Sequence, residues 1–304
     1  MSRVERLFGL LNLNKPSGIT SRDLVNRVQR LVRPLKTGHA GTLDPLASGV
    51  LLVCIGDATR LVKHLQGFRK TYVAEFVLGR SSDTDDSTGE VVIHAKPESL
   101  PTLGDILEVL QRLTGVIAQV PPAYSAVHVG GRRAYDLARR GESPDLQPRE
   151  VSVYAITVID YSWPLLRVRI ECGSGTYVRS IARDLGRLLG CGGLMSGLER
   201  TAIGVFEVEG SLSAELLSCE AIGTSLISPL QIVQDLARYE CLEQDLTDLR
   251  CGRRLSIDLR RLSIADVPVA GSEVALTAWE PPELVAIGVI AEDQSVQPRM
   301  VFMH

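Results

Sequence analysis

The stretch Thr37-Gly-His-Ala-Gly-Thr-Leu-Asp-Pro-Leu-Ala-Ser-Gly-Val-Leu-Leu-Val-Cys-Ile55 sets two kinds of backbone side by side. Gly38 to Gly49 is punctuated by glycine and carries Asp44-Pro45, a turn-forming pair, so the spacing predicts a loop. Val50–Ile55 is a short apolar run and predicts one buried strand. Upstream, Leu24, Val25, Val28, Leu31 and Val32 recur at helical spacing, while Arg22, Arg27, Arg30 and Arg33 fall off that stripe. Thr20 or Ser21 is placed to cap this helix over 20–33, Asp23 sits in its first turn, and Pro34 stops it. The order helix, loop, strand therefore places one carboxylate, Asp44, between a basic helix and the core.

Working outward, Thr71 to Leu78 is rich in β-branched and aromatic residues and predicts a strand. Ser81 to Gly89 is an acidic turn with a returning strand over Glu90 to His94. Leu103 to Leu113 predicts a short amphipathic helix, and Gln119-Val-Pro-Pro122 a break in regular structure. Arg132 to Pro148 is polar, basic and marked by Gly and Pro, as expected of an exposed insertion. Leu165 to Cys172 alternates, with Leu166, Val168, Ile170 and Cys172 on one face and Arg167, Arg169 and Glu171 on the other. Tyr177 to Leu189 follows as a helix whose apolar stripe leaves Arg179 and Arg183 pointing elsewhere. Beyond about residue 235 the texture changes: Asp245 to Arg254 reads as a short helix or loop, and Val267 to Leu276 and Leu284 to Ala291 as short strands. A small β-rich module of roughly 60 residues is marginal alone and needs docking.

Composition narrows the class. At 304 residues, with 45% hydrophobic and 23% charged residues, the chain suits one large domain with an appendage. No apolar run approaches a bilayer's thickness, and Met1 to Arg6 lacks the apolar segment of a secretory signal. The expectation is a soluble protein of the cytoplasm. Its six cysteines form no CxxC pair and its five histidines no HxxxH pair, so free thiols and no metal are expected. The net charge of −3 conceals an asymmetry: Arg22 to Lys70 holds nine Lys/Arg against three acids. Further basic clusters lie at Arg132-Arg133, Arg139-Arg140, Arg179 to Arg187 and Arg250 to Arg261, each either a phosphate-binding patch or a solvated helix face.

By spacing alone, Asp44 is better explained by a turn than by chemistry, His39 by a loop hydrogen bond, and Tyr72 by strand propensity. Arg179 is different. A cation in the first turn of a helix opposes the macrodipole, so it calls for a carboxylate or phosphate partner. Gly38-His-Ala-Gly41 and Gly173-Ser-Gly175 match neither Walker A nor GxGxxG spacing, and Ser174 and Ser180 lack a GxSxG elbow.

Five segments taken in order resemble the TruB family of tRNA pseudouridine synthases. They are Leu11-Asn-Leu-Asn-Lys-Pro-Ser-Gly-Ile-Thr-Ser21, Thr37 to Leu51, Lys70-Thr-Tyr-Val-Ala74, Gln119-Val-Pro-Pro-Ala-Tyr-Ser-Ala126 and Gly175-Thr-Tyr-Val-Arg-Ser-Ile-Ala-Arg-Asp-Leu-Gly186. The resemblance implies an α+β fold: a mixed, mainly antiparallel sheet with flanking helices over 1–235, an RNA-clamping insertion at about 121–150, and a PUA-like RNA-binding module over 240–304. It implies isomerisation of uridine 55 in the tRNA T loop, with no metal or organic cofactor and no obligatory protein partner; a monomer is the default. By motif position Asp44 is the catalytic carboxylate, Tyr72 the tyrosine that stacks on the target base, and Arg179 the arginine that pairs with the Asp and lowers its pKa. His39 would contact the T loop, Tyr177 and Leu198 would line the uracil pocket, and Lys15 would support the active-site loop. The acidic turn Ser81-Ser-Asp-Thr-Asp-Asp86 departs from the family's pattern, which leaves Asp83 and Asp86 without an implied role. Rival readings are a guide-RNA-dependent pseudouridine synthase and a tRNA-folding helper independent of catalysis. A glycosidase would need a second positioned carboxylate.

Overall fold

A computed structural model describes residues 7–125, 127–264 and 268–303. The main sheet is built from β1 (Gly9–Lys15), β2 (Thr37–Ala40), β3 (Ser48–Ile55), β4 (Lys70–Leu78), β5 (Gly115–Gln119), β6 (Arg149–Ser162), β7 (Leu165–Cys172), β8 (Gly193–Ile203) and β9 (Leu212–Ser213). Its order is β9-β1-β3-β8-β4-β7-β6-β5, with β2 on β3 and Phe206–Glu207 on β8. All pairs are antiparallel except β9 with β1 and β3 with β8, so the expected mixed, mainly antiparallel sheet is present.

The β3–β8 junction is short. Only Glu199↔Ser48 and Arg200↔Gly49 pair there, and the two halves of the sheet diverge from that seam. Gly49 has φ of +99°, and a Cβ on it would lie 2.2 Å from the carbonyl oxygen of Arg200, so only glycine fits the crossing.

Helices α1 (Ser21–Leu31), α2 (Leu103–Arg112) and α3 (Val178–Leu188) flank the sheet. Thr20 caps α1: its hydroxyl accepts from the Asp23 amide while the Asp23 carboxylate accepts from the Thr20 amide. Leu24, Val25 and Val28 then bury against Leu11, Leu13, Leu51, Val53 and Ile55, each such side chain stabilising the pair of layers by about 1.5–3 kcal/mol. On the other half, α2 and α3 cover Tyr72, Ala74, Phe76, Leu166, Val168 and Ile170. β3 is buried on both faces, which is why Val50–Ile55 reads as a continuous apolar run.

At the C-terminus, β10 (Ala237–Glu240), β11 (Leu255–Ser256), β12 (Glu273–Ala278), β13 (Glu283–Ile290) and β14 (Ser295–Val301) form a curled sheet of order β10-β12-β13-β14-β11, with α4 (Glu243–Arg250) beside it. This is a PUA-like module, and it shares a hydrophobic cluster with the main body: Ala275, Leu284, Ile287 and Phe302 pack with Leu52, Leu65, Ile203 and Phe206. Phe8 and Phe302 have ring centroids 5.0 Å apart. Docking supplies the burial a module of this size lacks alone.

Several expectations need correction. The loop predicted from Gly38 is shorter, because Thr37–Ala40 pairs with Cys54–Leu52 and Ile55 of β3; His39 is therefore a strand residue. Val267 lies outside the described residues, and the strand expected there runs Glu273–Ala278. Lys70, counted with the basic patch, is buried and donates to the Gln66 carbonyl and the Ser174 hydroxyl. The cluster Arg250 to Arg261 is largely neutralised, with Arg253 on Asp248, Arg254 on Asp293, Arg260 on Asp258 and Arg261 on Asp245. Four cysteines are buried, whereas Cys219 and Cys251 are exposed. No helix among the described residues is long and apolar enough to cross a membrane.

Candidate active site

Asp44 occupies the loop between β2 and β3, and side chains from three elements fix that loop. The Ser21 hydroxyl donates to the Leu43 carbonyl (3.0 Å) and accepts from the Leu43 amide (2.8 Å). The turn before α1 adds the Gly18 amide on the Pro45 carbonyl (2.8 Å) and the Ser17 hydroxyl on the Leu46 carbonyl (3.0 Å). Lys15, fully buried at the end of β1, ties that turn together by donating to the carbonyls of Pro16 and Ile19, each at 2.8 Å. From the seam, Arg200 donates to the carbonyls of Gly41 and Val50, at the loop's two ends. A loop held at six backbone groups presents its carboxylate in one place, as catalysis by positioning requires.

Arg179 comes to that carboxylate from the first turn of α3. Its guanidinium lies 3.0 Å from Asp44 and 3.5 Å from Asp86, and is 7% exposed. It also donates to the carbonyls of Thr84 and Tyr124. The unfavourable helix end is thus offset by two carboxylates and two carbonyls. Asp86 is held by Thr84 and Thr88: both hydroxyls and the Thr88 amide donate to its Oδ1. Next along the turn, Asp85 pairs with Arg183 at 2.8 Å. The acidic turn is therefore an anchor for the α3 arginines, a part the sequence left open for Asp86.

Gln119, at the end of β5, brackets Tyr177: its Oε1 accepts from the Tyr177 amide and its Nε2 donates to the Tyr177 carbonyl. This fixes the half-exposed residue just before α3. Tyr72 is only 9% exposed, more enclosed than a half-buried strand aromatic, and it lies opposite Ile170 and Arg200. Leu198 packs partly against the cluster of Leu43 and Tyr72, and lines a groove of about 340 Å³ with Ser17, Leu46 and Val73. His39 reaches the Thr42 hydroxyl at 3.4 Å. Burial, then the charges of Arg22 and Arg200, hold its pKa below the ordinary histidine value, so it enters the loop's surroundings neutral at pH 7.

Burial sets the net direction of the Asp44 pKa against the pull of Arg179. Arg179 does pull the Asp44 pKa down, but burial pushes it up by more, with Asp86 adding in the same direction, so the net shift is upward. Lys15 is lowered to about 8, by burial first, with Asp44 raising and Arg200 lowering it. If the ionised Asp44 reacts, the rate should fall on acidification through a value above the ordinary aspartate pKa. Single-turnover rates from about pH 4 to about pH 8 test this; an acid limb at or below the ordinary value would contradict it.

Arg200, Gln119, Ser21 and Asp86 went unassigned in the sequence. The one available signal was Asp86, an acid in a turn when Arg179 was already in need of a carboxylate. The other three act through backbone atoms distant in sequence.

Comparison with known proteins bears on the family. The family model described as the N-terminal domain of TruB family pseudouridylate synthase matches residues 29–178, which contain His39, Asp44, Tyr72 and Tyr177 and stop just before Arg179. The chain is 40% identical over 304 residues to the tRNA pseudouridine synthase B of Microcystis aeruginosa, covering 98% of this chain and 100% of that one. It is 40% identical over 307 residues to the protein of the same name from Sinorhizobium medicae, covering 97% and 96%. Among solved structures, a Cbf5–Nop10–Gar1 complex aligns with a TM-score of 0.72 and 27% identity, over 99% of this chain and 88% of that one.

Proposed function

The chain belongs to the TruB family of pseudouridylate synthases, and on that premise we propose that it converts uridine 55 of the tRNA T loop to pseudouridine, with Asp44 as the reacting carboxylate. The observation that carries this reading is the Asp44–Arg179 pair: a carboxylate 39% exposed on a pinned loop, backed at 3.0 Å by a guanidinium that is 7% exposed. Such a group meets solvent on one side and a fixed positive charge on the other.

The reaction breaks N1–C1′, turns the ring and forms C5–C1′; the C5 proton leaves and N1 gains one. Uracil must first leave the helical stack, at a cost of a few kcal/mol. Tyr72 and Leu198 border the loop on the apolar side, and contact with the Tyr72 ring offsets part of that cost. Asp44 attacks C1′ or C6, and Arg179 limits the rise in its pKa that burial causes. Tyr72 or a water accepts the C5 proton. Residues 1–235 supply this chemistry, and the module over 240–304 adds RNA contacts. Incubation with a tRNA transcript carrying tritium at uridine C5 should release one tritium per RNA; none released from a folded transcript would refute the assignment.

RNA contact follows from the exposed cations. Arg22, Arg27, Arg30, Arg33 and Lys36 stand exposed on and beside α1, and Arg132, Arg133, Arg139 and Arg140 stand exposed on the 121–150 insertion. Affinity for tRNA should fall on the order of a hundredfold between about 50 and about 200 mM salt, as four or so phosphate contacts imply. A flat salt response by filter binding would contradict an RNA footprint of this size. The likeness to the Cbf5 complex supports a second reading, a synthase that needs a guide RNA and protein partners. Activity on bare transcript separates the two.

A further inference from the structure

Arg200 is among the largest side chains that the fold encloses completely, at 1% exposure. It sits on β8 at the seam, opposite Tyr72 on one side and Gly49 on the other, between bulges at Met195/Gly197 and Arg200/Ala202 that re-aim the strand's side chains. Its Nε donates to the Val50 carbonyl (2.8 Å) and one Nη donates to the Gly41 carbonyl (3.0 Å), and its charge acts on the Tyr72 phenol across the strand pair. Among the described residues no carboxylate forms a salt bridge with it, and its charge depresses the pKa of Lys15, Lys70 and His39. An apolar residue of equal volume would fill the seam at lower cost than an unpaired buried cation. The positive charge therefore calls for an anion that the resting fold does not contain.

We propose that Arg200 is a positioning residue that serves as the counter-ion for a phenolate formed at Tyr72 when the C5 proton of the isomerised base is removed. The inference rests on the reading of Asp44 and Tyr72 given above. Tyr72 first gives its phenolic proton to water. The phenolate oxygen then takes the C5 proton, which regenerates the phenol. The C5–H electron pair forms the C5=C6 double bond while the C6=N1 pair moves onto N1, which takes a proton from water, or, on the C6 route, while the C6–O bond to Asp44 breaks and its pair returns to the carboxylate. The groups around Tyr72 are Arg200, Asp44 and Cys172; burial raises its pKa, Asp44 and Cys172 add to the rise, and Arg200 alone opposes it.

The test is Arg200→Gln, which keeps N–H donors for the Gly41 and Val50 carbonyls but removes the charge. With a T-arm transcript carrying deuterium at uridine C5, the single-turnover rate should fall about tenfold or more and the deuterium isotope effect should rise to about twofold or more, as proton loss becomes limiting. A purely structural role would lower the rate or the melting temperature without raising the isotope effect; that result, or an unchanged rate, overturns the proposal. Should Arg200→Gln fail to fold, Tyr72→Phe in the native background is to show the same rise, and an unchanged isotope effect there overturns it equally. Asp44→Asn run in parallel separates the two levels: activity in that variant refutes the underlying reading, whereas inactivity with an unmoved isotope effect in Arg200→Gln refutes only the role of Arg200.

Discussion

Asp44→Asn is expected to lower the single-turnover rate of pseudouridine formation about ten-thousandfold or more while tRNA affinity stays within a few-fold. Asparagine keeps the shape and a hydrogen-bond acceptor toward Arg179 but cannot attack C1′ or C6. The variant should also fold at least as well as the native chain. Because burial raises the Asp44 pKa in the folded state, its contribution to stability is fully present below the unfolded pKa and is lost as pH rises through the folded value. At pH 7 the ionised carboxylate is thus a net cost of folding that asparagine removes. Thermal melting should place the variant level with or above the native chain at pH 7, with the gap closing toward acid pH. A variant that melts markedly lower at pH 7 would show that the Asp44–Arg179 pair outweighs burial.

Arg179→Met should be the second most damaging change, and for two reasons at once. It strands Asp86, which is 5% exposed, without its cation, although Thr84 and Thr88 still satisfy its Oδ1. Breaking a buried pair from one side costs about 3–5 kcal/mol, and those hydrogen bonds place the expected loss in urea unfolding near the lower figure, about 3 kcal/mol. It also removes the largest influence that holds the Asp44 pKa down, so less of the reactive carboxylate is present at any pH. The rate at pH 7 should fall about a hundredfold, with the acid limb of the pH profile displaced upward. A rate within about threefold of native would mean that the guanidinium does not shape the chemistry.

The elements that carry one clear period were legible in the sequence. The α1 stripe, the alternation in Leu165–Cys172 and the stripe of α3 each meet one core face, so a single periodicity describes them. Three of the missed strands break that condition. β1 is buried on both faces and shows no alternation. β8 holds two bulges that reset the alternation at Gly197 and Ala202. β2 consists of Thr-Gly-His-Ala, without strand propensity of its own, and exists because β3 offers it an edge. In the site, motif order pointed to Asp44, Tyr72, Tyr177 and Arg179, and the fold brings the Asp44 and Arg179 side chains together. Arg179 lowers the Asp44 pKa as the motif implied, but the sequence does not display the burial that outweighs it. Ser21, Gln119 and Arg200 act on the backbone of Leu43, Tyr177, Gly41 and Val50, and backbone partners leave no trace in residue type.

The most direct measurement is chemical mapping of pseudouridine in a bare T-stem-loop transcript, free of guide RNA and protein partners, after incubation with the native chain and with Asp44→Asn. A single stoichiometric modification at uridine 55 with the native chain and none with the variant is the expected result. No modification of the bare transcript, modification at another uridine, or modification retained in Asp44→Asn would contradict it.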